Sequence, residues 1–213
     1  MQNVWFVTGT DTDVGKTFAT GWIARQWIEQ GHRTITQKLV QTGSDHGSPD
    51  IDVHRRLMQM NFPEDEAGLT APEVFPYPCS PHMASALQNR AIDFEKILKA
   101  TQVLSERYDR VIVEGAGGIM VPLTEELLTI DFVARQKWPI IFVTSGKLGS
   151  INHTLLSLEA MKNRGMELGY LIFNDWHTLP DENIDSNTYE FFTRWLSRYW
   201  PKAEIVRCPK ISV

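Results

Sequence analysis

The sequence predicts an α/β fold: a doubly wound, mostly parallel sheet with helices on both faces. Three observations carry that expectation. Short apolar runs recur at Val4–Val7, Val111–Val113, Ile140–Val143 and Leu168–Phe173, with a weaker fifth at Thr34–Lys38. The four stronger runs do not alternate polar with apolar, so each reads as a strand buried on both faces, as in a parallel sheet. Segments with helical spacing lie between them, and strand–helix alternation is the arrangement of parallel βαβ units.

The first strand runs into the loop GTDTDVGKT, Gly9 to Thr17, and then into a helix predicted over Thr17–Gln30, with Ala19, Trp22, Ile23 and Trp27 at helical spacing. Further helices are predicted over Phe94–Arg107, Ile130–Lys137 and Ile151–Asn163. Ser44 to Pro81 breaks this rhythm. It is rich in Asp, Pro and Gly, with Pro72, Pro76, Pro78 and Pro81 near its end, and it reads as an ordered excursion holding one short helix near Ile51–Met60. Long loops in compact α/β domains are often functional. Phe191, Phe192, Trp195, Tyr199 and Trp200 recur at helical spacing, a stripe suited to core or dimer packing rather than base stacking. No repeat, low-complexity tract or linker divides residues 1–213, so a single domain is expected.

A formal charge of −5 supplies no basic field, which argues against nucleic acid as the partner. The only cysteines, Cys79 and Cys208, are far apart and lack metal-ligand spacing, which fits a reducing compartment without disulfides. The chain opens almost at once on a strand, and its apolar stretches fall short of the ~20 residues of a membrane helix. A cytoplasmic protein without a signal peptide is expected.

The loop after the first strand carries the chemistry. A strand, a glycine-bounded loop and a helix starting with Lys-Thr make a phosphate cradle, so the fold is expected to be P-loop NTPase-like. N–H groups at the helix N-terminus point at the anion, and the helix dipole favours negative charge there. Lys16 would reach the terminal phosphates, and the Thr17 hydroxyl would hold Mg²⁺. The loop has five residues, Thr10 to Val14, where the usual motif has four. Two more features fall at strand ends: KLVQTGS, Lys38 to Ser44, and VEGAGG, Val113 to Gly118. Mg²⁺ prefers octahedral oxygen coordination, and Glu114 at a strand end suits a ligand, although a solvated Glu beside a flexible turn is the alternative. The small residues Gly115, Ala116, Gly117 and Gly118 leave room for backbone to approach a phosphate closely. Lys38 could neutralise phosphoryl charge in the same crevice, or be a surface charge.

Together these segments resemble the dethiobiotin synthase family. GTDTDVGKT, the Lys38 segment, SPHMAS (Ser80 to Ser85), VEGAGG, KLGSINHT (Lys147 to Thr154) and FND (Phe173 to Asp175) occur in the family's order, and the five-residue loop spacing is that family's form. The resemblance implies ATP-dependent carboxylation and ring closure of diaminopelargonic acid with carbon dioxide. The amine captures carbon dioxide as a carbamate, ATP phosphorylates it, and the neighbouring amine closes the cyclic urea with release of ADP and phosphate.

Residue by residue, the resemblance places Asp13, Val14, Gly15, Lys16, Thr17 and Phe18 on the nucleotide, with Lys16 and Lys38 catalytic. Thr17, Asp52 and Glu114 would surround magnesium, and Gly115, Ala116 and Gly117 would line the ATP site. Asn174 would bond the adenine edge, with Asp175 beside it. Thr12 and Thr42 would contact the substrate, with Asp11 between the two ligands. Gly149, Ser150, Ile151 and Asn152 would bind the substrate's carboxylate tail from the partner subunit, so a homodimer is implied. Asp50 competes with Asp52 for the metal; Asp52 better fits the expected helix start. Leu39 stands where a proline is common, and Thr42 where serine is common. The sequence stops at Val213, soon after Cys208-Pro209-Lys210-Ile211, where members of the family usually continue into a loop on the nucleotide, so the base and ribose contacts are left open. His82 and His153 read as helix-start histidines with structural hydrogen bonds, and Cys79 as a plain thiol. The rivals are a partitioning-type switch ATPase, whose early loop lysine is Asp11 here, and a cobyrinate-type amide synthetase, whose glutaminase domain has no room in 213 residues.

Overall fold

Backbone dihedrals and side-chain caps set the elements. The computed structural model describes residues 3–177 and 182–210. In chain order they form β1 (Val4–Gly9), α1 (Lys16–Glu29), β2 (Thr34–Lys38), β3 (Gln41–Thr42), α2 (Pro49–Met58), α3 (Pro63–Glu66) and β4 (Val74–Phe75). There follow α4 (Pro81–Leu87), α5 (Phe94–Arg107), β5 (Arg110–Glu114), α6 (Thr129–Gln136), β6 (Ile140–Ser145) and α7 (Ser150–Lys162). The last are β7 (Leu168–Asn174), a 3₁₀ turn at Asp175–His177, α8 (Glu182–Tyr199) and β8 (Glu204–Cys208).

Among the described residues, six strands pair in the order β2-β5-β1-β6-β7-β8, every neighbour parallel. Successive residues of a strand face opposite sides, and all of β2 and β6 is buried. Both faces of the sheet are therefore covered, as the doubly wound expectation requires. The core joins Val4, Phe6, Ile112, Ile141, Phe142 and Ile172 to Ala19, Ile23, Leu104 and Leu158 from the helices. The aromatic stripe enters it through α8, where Phe192 is fully buried against Phe173.

The excursion is ordered, as expected, and more regular than its composition suggests. Ser48 caps α2, its hydroxyl accepting from the Ile51 N–H, and Pro49 takes the first turn, where its missing donor is not needed. The helix therefore starts two residues before the expected Ile51. β3 and β4 pair as a small parallel ribbon. β8 was not anticipated; it is the exposed edge strand, and Ile211 lies outside the described residues. Among the described residues no helix is long and apolar enough to cross a membrane.

Candidate active site

The site forms where β1, β2 and β5 end side by side. Crevices beyond the carboxyl ends of parallel strands are where such sheets bind ligands. In the register Lys38 lies beside Glu114, with Val7 on the other side of Glu114. Pairing thus makes neighbours of groups 76 residues apart: Lys38 Nζ donates to Glu114 Oε1 at 2.8 Å and to the Gly115 carbonyl at 3.2 Å. Lys38 also pairs with Asp50 from α2. The Thr17 hydroxyl, from the first turn of α1, donates to Glu114 Oε1 at 3.0 Å.

The phosphate loop is held from behind. Gly15 opens α1 with φ +91°, and a Cβ there would lie 2.0 Å from Asn174 Nδ2. That amide donates to the Val14 carbonyl at 2.8 Å, while Asn174 Oδ1 accepts the Trp176 N–H at 3.2 Å. Asn174 thus braces the loop, 160 residues away in sequence. Phe18 stacks on Trp176 with centroids 5.7 Å apart, and Asp175 pairs with Arg207 at 3.2 Å. Across the crevice, a Cβ on Gly118 would lie 3.3 Å from the Gly9 and Thr10 carbonyls. The small-residue run after β5 is needed because it packs on the phosphate loop.

These groups open onto a cavity of about 530 Å³. Its walls include Thr12, Asp13, Lys16, Thr17, Lys38 and Thr42 together with Asp50, Glu114, Ala116 and Gly117. Cys79 and Ser80 form part of the opposite wall. Ser80 Oγ lies 3.0 Å from His82 Nδ1, the structural bond expected at that helix start.

Charge is concentrated at the floor. Burial pushes the Glu114 carboxyl up, but the Lys38 charge and the His54 hydrogen bond outweigh it and hold Glu114 well below the usual carboxylate range. Burial alone would depress Lys38, yet Glu114 and Asp50 hold it above its ordinary value. Lys16 goes the other way: burial lowers it to about 8, with Glu114 opposing and Lys38 reinforcing the fall. Its ammonium donates to the Asp11 and Thr12 carbonyls at 2.6 and 3.1 Å.

One expected residue is misplaced. Asp52 is exposed and lines a separate groove with Arg55, Arg56 and Asp65, whereas Asp50 reaches Lys38. Positions two apart on a helix are rotated by about 200°, so only one of the pair can face the site. The carboxylate beside Glu114 is therefore Asp50. Gly149, Ser150 and Ile151 do not reach the cavity of their own chain; they line a second hollow of about 420 Å³ with Asn183 and Ile184 of α8. Asn152, next on α7, is exposed. His54 was missed. It is fully buried, with Nε2 at 2.8 Å from Glu114 Oε2. Its spacing of four from Asp50 puts both on one helix face, a signal that was legible once Asp50 was chosen.

A family model described as an AAA domain matches residues 3–195. The ATP-dependent dethiobiotin synthetase BioD 2 of Pasteurella multocida is 46% identical over the whole of both chains. The Haemophilus influenzae protein of the same name is 49% identical over 83% of this chain and 93% of its own. The ATP-dependent dethiobiotin synthetase BioD of Chlorobaculum tepidum is 45% identical, covering 91% and 81%. Among solved structures, a ParA-family ATPase from Chlorobium tepidum aligns over 100% of this chain and 86% of its own, with a TM-score of 0.55 at 14% identity. The pNOB8 ParA bound to nonspecific DNA covers the same shares, with a TM-score of 0.58 at 13% identity. Likeness at that level concerns the fold alone. The match to the Pasteurella multocida synthetase runs the full length of both chains, and the chain belongs to the ATP-dependent dethiobiotin synthetase family.

Proposed function

We propose that this chain, as a single synthetase domain over residues 1–213, carboxylates diaminopelargonic acid with carbon dioxide and closes it to dethiobiotin at the cost of ATP. The observation that carries the reading is the meeting of Lys16, Thr17, Lys38, Asp50 and Glu114 at one cavity floor. A carbamate is a poor electrophile until one oxygen becomes a phosphate leaving group. ATP and carbamate are both anionic, so two lysines at the crevice are what their approach requires. Lys16 leaves the Asp11 and Thr12 carbonyls to hold the β- and γ-phosphates. Lys38 orients the carbamate and neutralises the phosphoryl oxygens as they transfer. Thr12 and Thr42 contact the diamine, and Gly115, Ala116 and Gly117 let the backbone close on the phosphates.

Magnesium fits the donor set. Thr17, Asp50 and Glu114 offer one hydroxyl and two carboxylates, the hard oxygen ligands this ion takes alongside water and nucleotide phosphates. When bound, it would supply further neutralisation of the phosphate oxygens. Asp13, Val14, Gly15 and Phe18 would follow the nucleotide. Asn174 uses one amide hydrogen on Val14 and keeps the second for the adenine edge, with Asp175 beside it.

The chain works as a homodimer in this reading. Gly149–Asn152 lie outside their own cavity, and Leu148 next to them is 85% exposed, which suits a segment that completes a partner's site. The cytoplasm suits its free thiols, Cys79 and Cys208.

The test is phosphate release from Mg²⁺-ATP with and without diaminopelargonic acid and bicarbonate, with dethiobiotin followed by mass. Release that requires both, with matching product, is expected. ATP hydrolysis without product would refute the reading.

A further inference from the structure

We propose that His54 is a positioning residue for Glu114: it fixes the carboxylate so that one oxygen serves the cation and the Thr17–Lys38 pair. This rests on the function proposed above, and specifically on Glu114 as a magnesium ligand.

His54 sits at the end of a buried polar chain. Arg55 Nη1 donates to Thr36 Oγ1 at 2.7 Å, Thr36 Oγ1 lies 3.0 Å from His54 Nδ1, and His54 Nε2 lies 2.8 Å from Glu114 Oε2. Arg55 is anchored in turn by Asp65, through Nε and Nη2 at 2.8 Å each. Thr36, His54 and Glu114 are all fully buried. Direction along the chain follows from what each group can do. A guanidinium only donates and a carboxylate only accepts, so Thr36 Oγ1 accepts from Arg55, and its own proton has both His54 Nδ1 and Met58 Sδ within reach. Nε2 carries the hydrogen that Glu114 Oε2 accepts.

A satisfied core histidine would be the bland reading, but the partner is what matters here. Glu114 Oε1 is shared by Thr17 and Lys38, and a carboxylate has one plane. Pinning Oε2 sets that plane and hence the direction of Oε1. Without a donor, Oε2 would be a buried acceptor with no partner, and the group would rotate to seek one. His54 also fixes its own helix against β5, and Asp50 is one turn earlier on the same face. The fit is close on the other side too: a Cβ on Gly21 of α1 would lie 3.1 Å from the His54 Cα. One imidazole therefore sets both carboxylates. Groups that orient metal-binding side chains commonly change affinity or activity by about 10–100-fold when removed.

The test is calorimetric, on the purified full chain, with ADP titrated in Mg²⁺ and separately in EDTA. Wild type should bind ADP more tightly in Mg²⁺. His54→Leu should lose about 10-fold or more of the Mg²⁺-ADP affinity while keeping its affinity for ADP in EDTA. His54→Gln, which returns an amide N–H near the Nε2 position, should recover most of the loss. Thr36→Val, which removes the hydroxyl that orients the ring, should lose affinity in the same selective way. A folded His54→Leu protein with wild-type Mg²⁺-ADP affinity would overturn the proposal, as would equal losses in Mg²⁺ and EDTA. Should His54→Leu fail to fold, Thr36→Val with wild-type Mg²⁺-ADP affinity overturns it instead. If wild type itself binds ADP no better in Mg²⁺, the magnesium reading fails and takes this inference with it; a normal wild type beside an unaffected variant sinks the inference alone.

Discussion

Replacing Lys38 with Met keeps most of the side-chain volume and removes the charge between Glu114 and Asp50. At 2.8 Å and an effective dielectric of about 20, the Lys38–Glu114 attraction is roughly 6 kcal/mol. Desolvation of the ammonium offsets part of that, and severing a buried pair from one side costs about 3–5 kcal/mol. At about 2–4 °C per kcal/mol for a chain of this size, Tm should fall by roughly 6–20 °C. The pH dependence checks the cause. Glu114 is held below its ordinary value of 4.5, so its pairing stabilises the fold above that pH and is lost as pH falls further. Lys38 is held above its ordinary 10.5, so its share is present below that pH and is lost as pH rises through the folded value. The K38M deficit should therefore be flat from about pH 5 to pH 10 and shrink toward about pH 3.5. Urea denaturation of both proteins in EDTA across that range measures it. A deficit under about 1 kcal/mol at neutral pH, or one that does not shrink in acid, would refute the argument.

Three further outcomes follow from the same geometry. Lys16 titrates at about 8 instead of 10.5, so its charge destabilises the fold below pH 8 by roughly 3 kcal/mol and the cost is relieved as pH rises to 10.5; K16M should therefore melt higher at neutral pH yet turn over about 100-fold slower or worse, and a K16M that melts no higher contradicts the charge assignment. Asp50→Asn should raise the Mg²⁺ concentration for half-maximal activity about tenfold or more, whereas Asp52→Asn should leave it unchanged; the reverse result would restore Asp52 to the site. Gly15→Ala combines φ +91° with a Cβ 2.0 Å from Asn174 Nδ2, so it should cost about 1–2 kcal/mol in backbone strain alone and more in displaced Asn174, read as a lower Tm and weaker ADP binding, and a wild-type Tm would disprove the bracing.

Legibility in the sequence tracked the range of the interactions involved. The phosphate loop was plain because its strand, glycines and Lys16-Thr17 are contiguous. The central strands were plain because burial on both faces leaves an unbroken apolar signature. β8 escaped because an edge strand with one open side, Glu204–Cys208, has no such signature. β3 and β4 are too short for any period to show. Asp50 and Asp52 could not be separated without the phase of α2, which Ser48 and Pro49 set two residues earlier than expected. His54 carries meaning only through Glu114, 60 residues on. Asn174 was tied to the base by resemblance; its contact with Val14 is a tertiary fact that no local pattern encodes.

The pairing of β2 with β5 has a consequence for how such a chain can change in length. Strand residues alternate sides, so one codon gained or lost within Thr34–Lys38 would turn Lys38 from the crevice to the opposite face of the sheet while leaving composition almost intact. The exposed turn at Asp45–Gly47, only a few residues further on, carries no such constraint, since Ser48 re-establishes the phase of α2 after it. Homologous chains should therefore drift in length between Ser44 and Ser48 and keep a fixed count from Thr34 to Lys38.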